Sequence, residues 1–128
     1  VDPPTTDEFE ALARYSGLPQ IKRRSSFHVL NHRAAGRQYA KDSGKDYRDL
    51  NLVVIHMGGG ISIAAHKKGR LVDANNAIDG DGPFSTNRCC SVPIGDLIKM
   101  CYSGTYTYPE IRRLINGNAG LMAYDRRK

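Results

Sequence analysis

The stretch that decides the fold runs from Leu52 to His66 and reads LVVIHMGGGISIAAH. Its first four residues are apolar and β-prone, so we expect a strand that is buried on both faces and ends at His56. Three consecutive glycines follow, and because they carry no Cβ the backbone can turn sharply and its N–H groups can be approached closely. Alternating residues from Ile61 onward then predict a return strand.

A second turn signal, Lys68-Gly69, is followed by the short apolar pair Leu71-Val72. Residues 52–75 are therefore predicted to form a three-stranded antiparallel meander. The glycine bend allows two interpretations, a nest of amides that binds an anion or a hairpin that needs glycine only for its geometry. The bend is not a Walker loop, because the sequence contains no G-x-x-x-x-G-K-[ST] and a strand, rather than a helix, follows.

A first helix is predicted ahead of the meander. Thr5 and Glu8 have the spacing of a capping box, and Gly17 followed by Pro19 ends the segment.

A second, longer helix is predicted from a cap at Ser25 or Ser26 to about Ser43. It places His28 and His32 four residues apart, on one face. Histidines at this spacing occur in zinc motifs, but no third ligand and no H-E-x-x-H accompany them, so a metal site is disfavoured and an exposed helix surface is the simpler interpretation.

Residues 76–91 form a long polar connection, and structureless segments of this length inside a domain are usually functional. Asp79 and Asp81 could bind Mg²⁺ as a carboxylate pair, but Asp-Gly is also ordinary turn chemistry, which we favour. Arg88, taken by itself, is one arginine among many.

Two further helices are predicted after this connection, one from Pro93 to Cys101 and one that begins at Pro109. The order helix, meander, helix predicts an α/β architecture with helices packed on a sheet.

The composition is that of a globular domain, with 128 residues, 40% hydrophobic and 25% charged. The net charge of +6 suggests an anionic partner, but the basic residues are scattered and lack interleaved aromatics, which favours a solvated surface or small phosphate ligands over nucleic acid. The three cysteines, Cys89, Cys90 and Cys101, form no disulfide framework or metal spacing. This odd count of cysteines favours a reducing compartment, so a cytoplasmic location is expected. No signal peptide or membrane span is visible.

The run from His56 to Ser62, HMGGGIS, resembles the H-[LM]-G-[GN]-G-x-S signature of the acetate and butyrate kinases. These enzymes belong to the superfamily of acetate kinase, sugar kinase, Hsp70 and actin (ASKHA). The resemblance covers residues 1–124, and further runs match butyrate kinases in order and spacing: Ser16 to Pro19, Phe27-His28, His66 to Gly69, Asn75 to Ala77, Asp79 to Ser85, Arg88, Pro93 to Leu97 and Gly120 to Tyr124.

This resemblance implies a ribonuclease H-like half-domain that opens with the three-stranded meander. It also implies a division of the chain: residues 1–50 match the interdomain and preceding helices, residues 51–124 match the start of the C-terminal kinase domain, and residues 125–128 form a divergent basic tail. Such a chain resembles a fragment of a longer two-domain kinase.

The implied activity is reversible, ATP-dependent phosphorylation of butyrate or a similar short or branched-chain acid, with Mg²⁺. In the family, the histidines matching His56 and His28 lie near the transferred phosphoryl group, and the arginine matching Arg88 lies near the acyl substrate. The resemblance also implies that four residues bind the phosphates of the nucleotide: Gly58, Gly59, Gly60 and Ser62.

Two departures from the family pattern concern residues beside these positions. Butyrate kinases commonly have glutamine where His32 stands, whereas the F-H-G-[TS]-S-H run of acetate kinases has histidine there. The family usually has Ser-Gly or Ser-Gly-Gly where Cys89-Cys90 follows Arg88. A cysteine in place of a glycine is expected to restrict the loop that carries Arg88.

A second hypothesis is a non-catalytic piece that binds phosphate weakly or serves a structural role, because the family's N-terminal phosphate loop and its later adenosine-binding segment have no counterpart here. We expect no appreciable turnover from the 128-residue chain alone. The expected partners are a small carboxylate or acyl phosphate and, as the resemblance implies, a second subunit in a homodimer, but neither nucleic acid nor a membrane.

Overall fold

A computed structural model describes residues 8–125. Its centre is an antiparallel sheet of three strands, β1 (Asn51–Met57), β2 (Ile61–Lys67) and β3 (Arg70–Ala74), in the order β1-β2-β3. His56 is paired with Ser62 across the first hairpin, next to the glycine bend. The predicted meander is therefore confirmed, and its first turn contains only Gly58, Gly59 and Gly60.

Helices flank the sheet on both sides in sequence. Within the described residues, two short 3-10 helices occupy Ala11–Arg14 and Tyr47–Asp49. The same part of the chain contains four α-helices: α1 (Val29–Asp42), α2 (Ile94–Cys101), α3 (Tyr108–Ile115) and α4 (Gly120–Tyr124). Among residues 8–125, no helix combines the length and the apolar character needed to cross a membrane.

The prediction that β1 is buried on both faces is wrong. Its side chains alternate, and Val53, Ile55 and Met57 are 70%, 56% and 76% exposed. The other face is covered because α1 packs against β1. Within the described residues a single layer of helix covers the sheet, so only one face of this apolar strand is removed from water.

The buried face of β2 is formed by Ser62, Ala64 and His66, so two of its three inward side chains are polar. The apolar core beside them is small and consists of Phe27, Val29, Ala64, Leu71 and Ala74, with Phe9 packed on its edge. Since buried polar side chains need partners, this face is where a hydrogen-bonded network must form.

The prediction of an α-helix ending at Gly17 is wrong for the part of it that the structure describes, where only the 3-10 turn Ala11–Arg14 forms. Thr5, which was predicted to cap that helix, lies outside the described residues.

The cap predicted at Ser25 or Ser26 is also wrong. Ser25 donates its hydroxyl to the Ala74 carbonyl at 2.6 Å, and Ser26 forms a parallel bridge with Asn76. Both serines are thus joined to the end of the sheet, and α1 begins only at Val29.

The predicted helices after the long connection are confirmed. Helix α3 begins with a complete capping box, in which the Thr107 hydroxyl accepts from the Glu110 N–H and the Glu110 carboxylate accepts from the Thr107 N–H. The turn beyond α3 leads to Gly120, which adopts a φ of +63° and starts α4.

Candidate active site

The glycine bend is fastened to the long connection by two hydroxyls. Ser85 donates to the Gly59 carbonyl at 2.7 Å, and Thr86 donates to the Gly58 carbonyl at 3.2 Å. Within the bend, the Gly58 N–H donates to the Gly60 carbonyl at 3.1 Å. The carbonyl oxygens are thus bound to the protein, which fixes the shape of the bend.

Arg88 lies directly against this bend. Its Nη1 donates to the Ala77 carbonyl at 3.0 Å, and a Cβ added to Gly60 would overlap the same nitrogen. The backbone of Arg88 is held by a bridge to Asn116. Its Nε is buried and has no acceptor within residues 8–125. A buried guanidinium N–H without an acceptor is costly, so this geometry suits an anion that reaches the bend.

His56 approaches the same bend from the strand side. Its Nε2 lies 3.2 Å from the position that a Cβ on Gly58 would occupy. Its Nδ1 is 2.7 Å from the side-chain amide nitrogen of Asn31. Because that amide nitrogen only donates, Nδ1 accepts and the ring proton is on Nε2. The His56 ring therefore directs an N–H donor toward the glycine bend.

His28 is stacked on His56, with ring centroids 3.6 Å apart and planes 9° apart. Behind this stack, the buried Ser62 hydroxyl lies 2.8 Å from His28 Nδ1 and 2.8 Å from His32 Nε2. His28 lies immediately before α1 and His32 lies within it, and the structure places both beside a single hydroxyl. The interpretation of these histidines as an exposed helix surface is wrong for His32, which is fully buried. Ser62, for which a nucleotide contact was predicted, has its hydroxyl directed at these two histidines.

Two buried histidines lie further inside. The Tyr47 hydroxyl is 2.6 Å from His66 Nδ1, and the His66 and His32 ring centroids are 5.8 Å apart. Burial lowers the pKa of His32 to about 4. Burial also lowers the pKa of His66 to about 4, and the positive charge of Arg33 contributes a smaller part of that shift. Both rings are therefore neutral at neutral pH.

The carboxylates of the long connection are engaged in ion pairs. Asp79 accepts from Arg112 at 2.9 Å, and Asp81 accepts from Arg23 at 2.9 Å and from the Asn76 N–H at 2.8 Å. The hydrogen bond from Arg112 lowers the pKa of Asp79. Among residues 8–125, no group of three or more histidine, cysteine, aspartate or glutamate side chains is arranged to hold a metal ion.

Cys90 adopts a φ of +47°, in the left-handed region that favours glycine. This is the position at which the family pattern usually has glycine, so the chain makes the turn after Arg88 with a side chain that opposes it. Burial raises the pKa of the thiols of Cys89 and Cys90. Both side chains are therefore neutral near neutral pH.

Several side chains that organise the site were not predicted from the sequence. Asn75, just beyond β3, is bonded to the start of β2 next to the glycine bend: its amide oxygen accepts from the Ile63 N–H at 2.8 Å, and its amide nitrogen donates to the carbonyls of Ile61 and Asp81, each at 3.1 Å. The polar pair Asn75-Asn76 after an apolar strand was a usable signal. Asn31, Ser85 and Thr86 gave none.

Solved structures share this fold. Acetate kinase from Porphyromonas gingivalis matches 90% of this chain and 31% of its own length with a TM-score of 0.76 at 24% identity. A propionate kinase from Francisella tularensis matches 90% of this chain and 31% of its own length with a TM-score of 0.69 at 22% identity. The fold is therefore the ribonuclease H-like fold of the acetate and propionate kinases, as predicted.

The model of the acetokinase family matches residues 13–125, and the chain belongs to that family. It is 56% identical over 124 residues to a probable butyrate kinase of Clostridium botulinum (strain Eklund 17B / Type B). It is 52% identical over 124 residues to butyrate kinase 2 of Clostridium acetobutylicum. Each alignment covers 97% of this chain and 35% of the relative, so the chain spans about a third of the length of these relatives.

Proposed function

We propose that Arg88, His56, His28 and the glycine bend supply the phosphoryl-transfer part of a short-chain carboxylate kinase. Such an enzyme reversibly converts ATP and butyrate, or a similar short or branched-chain acid, into ADP and the acyl phosphate. Identities of 52–56% to proteins named butyrate kinases support the reaction class. The observation that carries the proposal is the meeting of Arg88, His56 and the three glycines at one end of the sheet.

The amides of Gly59 and Gly60 bind the nucleotide phosphates, and Gly58 shapes the bend, because its N–H donates to the Gly60 carbonyl. Arg88 neutralises the charge that develops on the transferred phosphoryl group, because a guanidinium beside a desolvated anion stabilises it strongly. The buried, unpaired Nε of Arg88 supports this role.

The Nε2–H of His56 donates to the same phosphoryl oxygens, and His28, stacked on His56, donates to the phosphoryl group beside it. The carboxylate oxygen of the acid attacks the γ-phosphorus in line, and the bond to the β–γ bridging oxygen breaks so that ADP leaves with the electron pair. No covalent intermediate with the protein is required, since positioning and charge stabilisation carry the reaction.

Membership of this kinase family implies ATP and a divalent metal. The bare amides of the glycine bend and the Arg88 guanidinium against Gly60 support a fit to the phosphates of ATP. They do not fit Mg²⁺, because Asp79 and Asp81 are paired with arginines and the described residues contain no cluster of metal ligands. We therefore assign no step of the transfer to a metal ligand within residues 8–125.

The wider organisation follows from the resemblance. Residues 51–124 correspond to the start of the C-terminal kinase domain and residues 1–50 to the helices before it. We treat this as a division of the chain rather than of folding units, because α1 packs on β1. A homodimer and a cytoplasmic location belong to the same proposal.

The proposal is tested by replacing the matching segment of Clostridium acetobutylicum butyrate kinase 2 with this chain and measuring acyl phosphate as the hydroxamate. The chimera should form butyryl hydroxamate, and Arg88→Ala should lower kcat/KM at least about a hundredfold. Gly60→Ala, which displaces the Arg88 guanidinium, should lower it at least about tenfold. Gly17→Ala adds a methyl group that meets nothing within 4 Å and is the matched control. A chimera that is unaffected by Arg88→Ala would refute the assignment.

A second candidate is a non-catalytic phosphate-binding piece, favoured by the absence of a metal-ligand cluster among residues 8–125. It predicts that the 128-residue chain alone binds ADP without forming hydroxamate. Titration of the chain with ADP, compared with Arg88→Ala, measures that binding. Turnover by the chain alone would exclude this candidate.

A further inference from the structure

The hydroxyl of Ser62 lies at the centre of a hydrogen-bonded set that the proposed chemistry does not yet use. It is 0% exposed, and it lies 2.8 Å from a nitrogen of His28 on one side and 2.8 Å from a nitrogen of His32 on the other. A buried hydroxyl has one proton to donate and two lone pairs to accept with. If the Ser62 hydroxyl accepts a hydrogen bond from one of these rings, its own proton is donated to the other. The position of the proton on one ring therefore determines its position on the other.

His32 determines which direction holds. It is fully buried and neutral at neutral pH, so it carries a single ring proton. Its Nε2 faces Ser62, and its Nδ1 is buried without a partner among the described residues. Buried N–H groups without an acceptor are rarer than unpaired acceptors, so the proton belongs on Nε2, where Ser62 accepts it.

Once Ser62 accepts from His32, its own proton is directed to His28. Nδ1 of His28 then accepts, and the His28 proton lies on Nε2, the ring nitrogen remote from Ser62.

We propose that Ser62, supported by His32, is a positioning residue that holds His28 in the Nε2–H tautomer, so that His28 meets the phosphoryl group as a neutral hydrogen-bond donor with a fixed orientation. The inference rests on the proposed function for the role of His28. In this role the Ser62 hydroxyl contacts His28 and not the nucleotide. The same hydroxyl locks the ring against rotation, because a turned ring would present a carbon to Ser62.

The test is long-range ¹H–¹⁵N correlation on the ¹⁵N-labelled 128-residue chain near neutral pH, which distinguishes protonated from unprotonated ring nitrogens. Signals of His28 and His32 are assigned by their loss in His28→Gln and His32→Gln. We expect a protonated Nε2 and an unprotonated Nδ1 on both rings. A protonated Nδ1 on His28 would overturn the proposal.

Ser62→Ala should move the two ¹⁵N shifts of His28 toward each other as the second tautomer becomes populated. The matched control is Ser85→Ala, which removes the hydroxyl of another buried serine, one bonded to the Gly59 carbonyl. It should leave the His28 shifts in place. Unchanged His28 shifts in Ser62→Ala, or equal changes in both variants, would show that Ser62 does not select the tautomer.

Two conservative variants keep the test decisive if Ser62→Ala does not fold. Ser62→Thr retains a hydroxyl, and His32→Gln retains a side-chain N–H that Ser62 can accept. Both should keep the proton of His28 on Nε2. Loss of that tautomer in both folded variants would contradict the proposal.

Activity is read separately in the chimera, where Ser62→Ala should lower kcat about tenfold with little change in KM and Ser62→Thr should restore it. An inactive chimera combined with the Nε2–H tautomer in the chain refutes the proposed function and leaves the positioning intact. An active chimera combined with the Nδ1–H tautomer refutes the positioning alone.

Discussion

Acidification should destabilise the fold mainly through His32 and His66. Both rings are buried, and each has a pKa of about 4 in the folded state against an ordinary value of 6.5. In the unfolded chain they take up protons near pH 6.5, whereas in the folded chain they remain neutral until about pH 4. The unfolded state thus binds more protons in this window, so stability falls as the pH is lowered through it and levels off below about 4.

The magnitude follows from the pKa difference. One pKa unit corresponds to about 1.4 kcal/mol, so a difference of about 2.5 gives roughly 3 kcal/mol for each ring. A domain of this size has a free energy of unfolding of about 5–15 kcal/mol, so this loss is a large fraction of it. The lowered pKa of Asp79 acts in a different range, because its stabilisation is lost only as the pH falls below the ordinary value of 3.8.

Urea unfolding followed by circular dichroism at several pH values from about 7 to 4.5 measures this effect. The free energy of unfolding of the wild-type chain should fall by at least about 2 kcal/mol across the range. His66→Gln should be less stable at neutral pH but should lose about half as much on acidification. A wild-type chain whose free energy of unfolding changes by less than about 0.5 kcal/mol would refute the reasoning.

Two further changes test how the elements around the site are held, each by the shift in the urea midpoint. Gly120→Ala should destabilise by about 2 kcal/mol or more, because the residue has a φ of +63° and the new Cβ would overlap the Ser85 carbonyl oxygen. Gly17→Ala, with nothing within 4 Å of the new atom, is the control and should change stability by less than about 0.5 kcal/mol, so equal effects would contradict the geometry. Thr107→Ala should lower the free energy of unfolding by about 1 kcal/mol, because it removes the capping box with Glu110. Thr107→Asp should recover most of this loss, since aspartate can also cap the helix, and equal losses in both variants would contradict a capping role.

The meander could be predicted from the sequence because its signals are local. A run of β-prone residues, three glycines, an alternating run and Lys68-Gly69 define strand, turn, strand and turn without reference to distant residues. The capping box of Thr107 and Glu110 is also a local signal, because its spacing and Pro109 mark the same helix start. The fold class followed from these elements together with the family resemblance.

The start of α1 could not be predicted locally, since Ser25 and Ser26 are bonded to residues about 50 positions away. These serines have the composition of a cap, but bonds to the end of the sheet compete with capping and prevail. The burial of β1 was misjudged for a related reason. A continuous apolar run indicates two covered faces only where a second layer is present, and the described residues provide one.

The geometry of the candidate site depended on the same long-range contacts. Arg88 meets Gly60 across 28 positions of sequence, and Ser62 meets His28 across 34. The resemblance identified most of these residues as a group, but it gave no indication that the Ser62 hydroxyl faces two histidines. The burial of a side chain and the direction of its hydrogen bonds depend on how the whole chain packs, so the periodicity of the sequence does not predict them.

The margin of the sheet has a practical consequence for anyone preparing this polypeptide. Strand β1 is one of the two edge strands of the sheet in the described residues, and Val53, Ile55 and Met57 form an exposed apolar stripe along it. Edge strands with unpaired backbone N–H and C=O groups and exposed apolar side chains pair with other molecules and cause aggregation. Low protein concentration and the substitution Ile55→Lys should reduce this association without changing His56, whose side chain lies on the opposite face of the strand.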